Sequence, residues 1–351
     1  MTNWKEIQTN NGPRARLGRE QPPGRFPRLM KILTVTTLYP NAAAPSHGIF
    51  VENRLEFFRR RTGADVRVLA PVPWFPSSNP VFGRYARFAG APLRETRRGI
   101  EVRHPRYAIP PKIGMTYAAA ALARVIEREA QVIRAEGWDF DLIDAHYLYP
   151  DGVAAAAAAR RLGKPVVLTA RGSDVTELAS FPRQRAMILD AVIQSDGVVA
   201  VAEALKQDLV RLGAPPEKIR VLRNGVDLDM FRPADRAAAR AKLNVEGTVL
   251  ASVGALIPRK GHDLAIRALG RLPGATLIVA GGGPDLETLR SLAASLGLSA
   301  RVRFTGELRH EALGDLYNAA DALVLLSSRE GWPNVLLEAM ACGTPAVAAN
   351  A

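Results

Sequence analysis

The chain is expected to fold as α/β: two domains in tandem, each a mostly parallel sheet with helices on both faces. Three observations predict this. Short β-branched runs alternate with helical stretches from residue 31 onward, the alternation pauses near residue 232, and it then restarts. The 351 residues also exceed the ~250 that one hydrophobic core usually holds. With 48% hydrophobic and 23% charged residues, the composition is that of a globular protein.

Residues 1–29 carry Lys5, Arg14, Arg16, Arg19, Arg25 and Arg28 against Glu6 and Glu20, with several Pro, Gly and Asn and no apolar core. They are neither a signal peptide nor a packed element, and are expected to be a disordered extension, with Met30 as the alternative start codon. The N-terminal domain, 30–231, has strands expected at 31–36, 65–69, 100–103, 142–145, 165–169, 197–201 and 219–222. Helices are expected near 49–61, 114–136, 151–162, 183–195 and 203–212, with a long proline-rich loop at 71–80. Residues 232–244 read as a linker. The C-terminal domain, 245–351, has strands near 248–253, 275–280, 301–305, 322–326 and 345–349 and helices near 261–271, 284–296, 310–319 and 333–341.

Cys342 is the sole cysteine, which excludes an internal disulfide and a multi-cysteine zinc site and fits a reducing compartment, the cytoplasm. The net charge of +13 calls for acidic partners; nucleotide diphosphates, anionic lipid headgroups and nucleic acid all qualify by charge alone. A basic helix at 51–61 carries Leu55, Phe57 and Phe58 beside its arginines, either as a cover for its own core or as a face for an anionic membrane surface. No apolar run reaches the ~18 residues of a membrane span.

The most informative segment runs from Ser327 to Pro345. Glu330 follows an apolar strand, Gly331 and Pro333 mark a turn, and a helix follows that carries Glu338. Glu330 therefore sits at a strand-to-helix crevice, where free N–H groups attract phosphate or sugar oxygens and a carboxylate accepts from hydroxyls. A helix-terminus charge and a solvated glutamate would be the plainer use of the pair. Upstream, Ser252-Val253-Gly254-Ala255-Leu256-Ile257-Pro258-Arg259-Lys260-Gly261-His262-Asp263 also joins a strand to a helix, and Arg259 and Lys260 there can neutralise a diphosphate. Gly281-Gly282-Gly283 follows a strand but lacks the third glycine of a dinucleotide fingerprint. His146 and Arg171 stand at the carboxyl ends of neighbouring strands, the histidine as a cleft residue or as a satisfied structural one. Gly48 closes a loop after the first strand, as a ligand-loop or an ordinary helix-entry glycine. Asp139-Phe140-Asp141 and Asp227-Leu228-Asp229 have a metal-binding form, but such triplets are common by chance.

The Glu330–Glu338 segment resembles the E-x7-E signature of the retaining GT4 glycosyltransferases, which have the GT-B fold of two Rossmann-like domains. The resemblance extends from Met30 to Ala351 and is more specific in the second domain. It implies transfer of a sugar from a nucleotide diphosphate sugar to a glycan or lipid-linked acceptor in cell-surface polysaccharide synthesis. Retention of anomeric configuration follows from it, with no metal or other cofactor and no nucleic-acid partner. The basic helix at 51–61 and the net charge suggest peripheral attachment to the inner face of an anionic membrane, where a lipid-linked acceptor would be found. In this likeness Arg259 and Lys260 offset the leaving diphosphate, Glu330 holds sugar hydroxyls, Glu338 the ribose, and His146 lies near the transferred sugar. Donor contacts fall to Gly48, Gly254, Gly282, Leu308, Asn334 and Val335. Many relatives carry His where Arg171 stands, so Arg171 is expected to act electrostatically rather than by proton transfer. Relatives also continue past the equivalent of Ala351, so the second domain is expected to be incomplete and the chain a weak catalyst. A GT-B epimerase and a non-catalytic fragment that binds nucleotide sugar weakly are the alternatives.

Overall fold

Two parallel sheets order the chain, one of eight strands and one of five. The computed structural model describes residues 29–109 and 114–350; the expected N-terminal extension lies outside them except for Leu29. Strands of the first part are β1 Lys31–Val35, β2 Asp65–Leu69, β3 Val72–Pro73, β4 Arg94–Arg97, β5 Ile100–Arg103, β6 Arg106–Tyr107, β7 Leu142–His146, β8 Val166–Ala170, β9 Gly197–Ala200 and β10 Ile219–Val221. Its helices are α1 Ile49–Thr62, α2 Arg84–Gly90, α3 Gly114–Ala135, α4 Val153–Leu162, α5 Ser173–Thr176, α6 Pro182–Gln194 and α7 Glu203–Arg211. The second part has α8 Arg236–Leu243, β11 Thr248–Val253, α9 His262–Leu269, β12 Ala275–Ala280, α10 Leu286–Ser295, β13 Val302–Gly306, α11 His310–Ala319, β14 Ala322–Leu325, α12 Asn334–Ala341 and β15 Ala346–Ala348.

The first sheet runs β10-β9-β8-β7-β1-β2-β5-β4, with β4 alone antiparallel, and β3 and β6 pair separately. The second runs β13-β12-β11-β14-β15, all parallel. Both orders reverse direction inside the sheet, between β1 and β7 and between β11 and β14, and crevices for ligands open beyond the strand ends at such points. The inner strands are apolar on both faces because helices cover both: Leu33, Ile143, Leu168, Val249 and Leu277 are fully buried. Alanine dominates α4, and its buried alanines let the long α3 pack closely against it.

Local chemistry sets the helix ends. Gly63 takes a left-handed conformation and its N–H closes α1 on Arg59 O, and Pro182 starts α6 where no N–H is needed. Asp235 caps α8 by accepting from the amides of Ala237 and Ala238. This last helix corrects the expected linker at 232–244. Ala239 is buried, and Arg240 donates to Ala319 O at 3.1 Å and to Asp321 at 2.7 Å. Phe231 already belongs to the second core, against Tyr317. The segment is thus part of the second domain, and its alanine-rich face was too weak an apolar signal to show it.

Candidate functional site

The switch point of the second sheet brings the two basic and acidic motifs together. β11 leads through Gly254 into the single turn Pro258–Lys260, and β14 leads into the loop that carries Glu330. Ser328 N donates to Arg259 O at 2.9 Å and Arg259 Nη1 donates to Arg329 O at 2.8 Å. Lys260 Nζ lies 2.5 Å from Glu330 Oε1, and Arg259 Nη1 lies 3.9 Å from its Oε2. Gly261, at φ 67°, makes this approach feasible, since a Cβ there would stand 2.1 Å from Leu326 O. Gly254 borders the Lys260 stem, its hypothetical Cβ meeting Cδ at 3.6 Å.

The first domain faces this cluster with the end of β8. Arg171, Ser173, Arg259, Glu330 and Trp332 line a shared cavity of about 130 Å³. Arg329 Nη1 donates to Thr176 O at 3.0 Å and Trp332 Nε1 to Asn224 O at 3.2 Å, so both domains are tied at this edge. A chain of polar contacts continues across the interface. Arg171 Nη2 donates to His146 Nδ1 at 2.7 Å, Arg171 Nη1 donates to Asn224 Oδ1 at 3.2 Å, and Asn224 Nδ2 donates to Asn334 Oδ1 at 3.1 Å.

His146 does not face the cleft, contrary to the expectation from its place at the end of β7. It is fully buried, with Asp144 Oδ2 3.0 Å from its Nε2 and Arg171 over its Nδ1. Burial, with the charges of Arg171 and Arg54, pushes its pKa down to about 4 against the pull of Asp144. It is a neutral acceptor that orients Arg171. The turn after β7 explains its cover: Tyr147, at φ 82°, donates or accepts at Ser173 Oγ (2.7 Å), and Leu148 N donates to the buried Asp174.

Glu338, further along α12, is also more occupied than the sequence suggested. It is 7% exposed, its Oε2 accepts from Tyr317 Oη at 2.8 Å and its Oε1 lies 3.1 Å from His310 Nε2. His310 rests edge-on against Phe231. The remaining lone pairs of Glu338 border a second cavity of about 570 Å³, shared with Asn334, Val335, Asn224 and α1. Gly48 and Gly282 border other cavities at the interface, near Glu307, and Leu308 lines none of these, packing against the second core instead. The two acidic triplets serve the fold: Asp139 pairs with Arg134 and Lys164, Asp141 accepts from Lys31 N, and Asp227 accepts from the amides of Asp229 and Met230.

Asn224, Arg54, His310, Tyr317 and Asp144 are parts of this site that sequence reasoning did not select. Asn224 alone had a local signal, in the turn Arg223-Asn224-Gly225-Val226-Asp227. The assembled site offers two cations and a carboxylate at one crevice, a polar bridge across the interface, and a clamped carboxylate beyond it. That set can hold a diphosphate and the hydroxyls attached to it.

Comparisons with known proteins agree with the geometry. The family model for Glycosyl transferases group 1 matches residues 235–351, and that for Glycosyltransferase Family 4 matches residues 51–230. A D-inositol 3-phosphate glycosyltransferase of Rhodococcus jostii is 35% identical over 296 residues, 77% of this chain and 65% of its own length. That of Mycobacterium bovis BCG is 33% identical over 294 residues, 77% of this chain and 59% of its own. The chain therefore spans under two thirds of these curated relatives. Among solved structures, sucrose-phosphate synthase from Thermosynechococcus elongatus matches with a TM-score of 0.71 at 21% identity, over 91% of this chain and 81% of that one. An Anabaena protein solved with UDP and glucose matches with a TM-score of 0.67 at 22% identity, over 92% and 81%. These likenesses show the GT-B architecture of two Rossmann-like domains. With one family model covering more than half of its residues, the chain belongs to glycosyltransferase family 4.

Proposed function

We propose that the chain carries the donor site of a retaining glycosyltransferase that moves a sugar from a nucleoside diphosphate to an acceptor hydroxyl. The convergence of Arg259, Lys260 and Glu330 at the switch point of the second sheet carries this reading. The bond from the sugar's anomeric carbon to the diphosphate breaks and its electron pair stays on the phosphate. Arg259 and Lys260 offset that charge, Glu330 exchanges its contact with Lys260 for sugar hydroxyls, and Glu338 accepts from the ribose. The acceptor oxygen bonds to the same face of the sugar, and its proton passes to the departing phosphate. Catalysis is then positioning and electrostatics, with no metal required. His146 positions Arg171 rather than moving a proton.

The curated relatives are named for a phosphorylated polyol, which supports a hydroxyl acceptor here. A glycan or lipid-linked acceptor of cell-surface polysaccharide synthesis, met on the cytoplasmic side of a membrane, fits the net charge of +13. No helix among the described residues is long and apolar enough to cross a membrane. The test is incubation with a panel of nucleotide sugars, following release of free sugar or product by NMR. Release of an α-anomer from an α-linked donor, insensitive to EDTA, is expected; initial release of the β-anomer would overturn retention, and an EDTA-sensitive rate would overturn metal independence.

A further inference from the structure

Four aromatic rings between β3 and β4 form a continuous patch on the first domain. Phe75 lies at its base: Tyr85 stacks on it with ring centroids 5.5 Å apart and planes 28° apart, and Phe82 meets it edge-on at 5.4 Å. Phe88, on α2 like Tyr85, meets Tyr85 edge-on at 6.0 Å. The rings hold one another and none belongs to a core cluster; Phe82 and Tyr85 stay 47% and 46% exposed. Their backbone is fixed, since Trp74 N donates to Tyr107 O at 2.8 Å, Phe82 N to Asn79 O at 3.1 Å and Val81 N to Asn79 Oδ1 at 3.0 Å. A preformed aromatic surface left open in this way marks an interaction site.

The patch is continuous with the cleft. Phe88 and Arg87 line a cavity of about 780 Å³ whose second-domain wall is Ala255 and Glu307. Ala255 follows Gly254, which borders the Lys260 stem. Arg259, Lys260, Glu330 and Glu338 do not line this cavity, and of the residues expected to hold the donor Gly48 alone borders it. Arg87 and Glu307 form no hydrogen bond or ion pair with a described residue, so both are open to hydroxyl groups.

A sugar ring has a flat apolar C–H face and a rim of hydroxyls. Aromatic rings accept the face, and a guanidinium, a carboxylate and the Ser77-Ser78-Asn79 turn beside the rings suit the rim. A bilayer is the competing occupant, but interfacial helices carry a strongly basic face. The run Arg59, Arg60 and Arg61 lies at the end of α1, whereas the stretch from Trp74 to Leu93 holds two arginines and no lysine.

We propose that Phe82 and Tyr85, supported by Phe75 and Phe88, are a platform for the acceptor, and that the acceptor is a glycan of several units whose non-reacting sugars stack there. This rests on the transferase reading and deepens it, choosing the glycan over the lipid-linked acceptor.

The experiment is saturation-transfer NMR of the whole chain with maltohexaose, cellohexaose and mannohexaose, each against its monosaccharide, with calorimetric titration of UDP, GDP and ADP on the same samples. Stacking on a C–H face tolerates different linkages, so at least one hexasaccharide should receive saturation along several units and bind about tenfold more tightly than its monosaccharide. Phe82→Ala combined with Tyr85→Ala should weaken it about tenfold, whereas Tyr85→Phe, which keeps the ring, should stay within about twofold. Absence of binding by all three hexasaccharides overturns the platform, as does equal binding by the native chain and the folded double variant. Sedimentation with phosphatidylcholine vesicles holding about 20% phosphatidylglycerol that depends on the two rings, without hexasaccharide binding, overturns it in favour of a membrane face. Failure of the native chain to bind any of the three nucleotides counts against the transferase reading, while the hexasaccharide titration still decides the platform.

Discussion

Gly331→Ala should separate the two domains at the reaction centre without unfolding either. A Cβ on Gly331 would stand 2.3 Å from Arg171 O and 2.8 Å from Gly172 Cα, about 1 Å inside the 3.4 Å at which ordinary contact begins. Neither obstacle is the flexible tip of a side chain. Both belong to the turn that Asp174 fixes through the amides of Arg171, Gly172 and Val175, so that turn will not yield. The domains can yield, because the contact lies between them, and an opening of about 1 Å stretches the Asn224–Asn334 and Trp332–Asn224 bonds, already 3.1 Å and 3.2 Å. Misplacement on this scale costs on the order of a hundredfold in turnover when catalysis rests on positioning. Donor turnover at saturating nucleotide sugar, with a denaturation curve on the same sample, is the assay. Turnover should fall by roughly two orders of magnitude while the unfolding free energy changes by less than about 1 kcal/mol. Full turnover in the variant would refute the idea that the Gly172–Gly331 approach sets the working geometry.

Three further outcomes follow from the same contacts. Lys260→Ala, which removes the cation nearest Glu330, should lower turnover by roughly two orders of magnitude, and an unchanged rate in a folded variant would remove it from the reaction. Tyr317→Phe deprives the buried Glu338 of a donor and should cost about 1–3 kcal/mol in urea unfolding; an unaltered midpoint would show that the carboxylate does not need the phenol. His146 is the pH-sensitive group of the network: its folded pKa of about 4 lies below the ordinary 6.5, so the unfolded chain takes up a proton that the folded chain refuses. Stability should therefore fall as pH drops from 6.5 towards 4, by up to roughly 3 kcal/mol, and stay level in this respect above 6.5. Replacing His146 by Asn should flatten that slope, whereas equal slopes in the two proteins would contradict the buried neutral histidine.

Much of the fold was legible because inner strands of a parallel sheet are continuous apolar runs. The expected bounds of β2, β5, β11, β12 and α11 coincide with the observed ones. What escaped were elements without such runs. The edge strand β4 is Arg-Glu-Thr-Arg, α2 lies beyond a proline-rich stretch, and α8 shows mainly alanine to its core. At the site, Glu330 and Lys260 were visible because each lies between a strand and a helix, and strand order alone then brings them together. The burial of His146 was not visible, since it depends on Asp144 beneath it and on Arg171 from the next strand. Nor was the clamp on Glu338, whose partners His310 and Tyr317 reach it from α11. A motif marks where a side chain starts, while its freedom is decided by what packs over it.

The most direct measurement is calorimetric titration of nucleoside diphosphates, with and without the attached sugar, into the native chain, Lys260→Ala and Glu330→Gln. A diphosphate held by Arg259 and Lys260 should bind the native chain and lose about tenfold in Lys260→Ala. Glu330→Gln should leave the free diphosphate nearly untouched and weaken only the sugar-bearing form. Native affinity in both variants, or equal loss of sugar-free and sugar-bearing ligand in Glu330→Gln, would contradict a nucleotide-sugar site at this crevice.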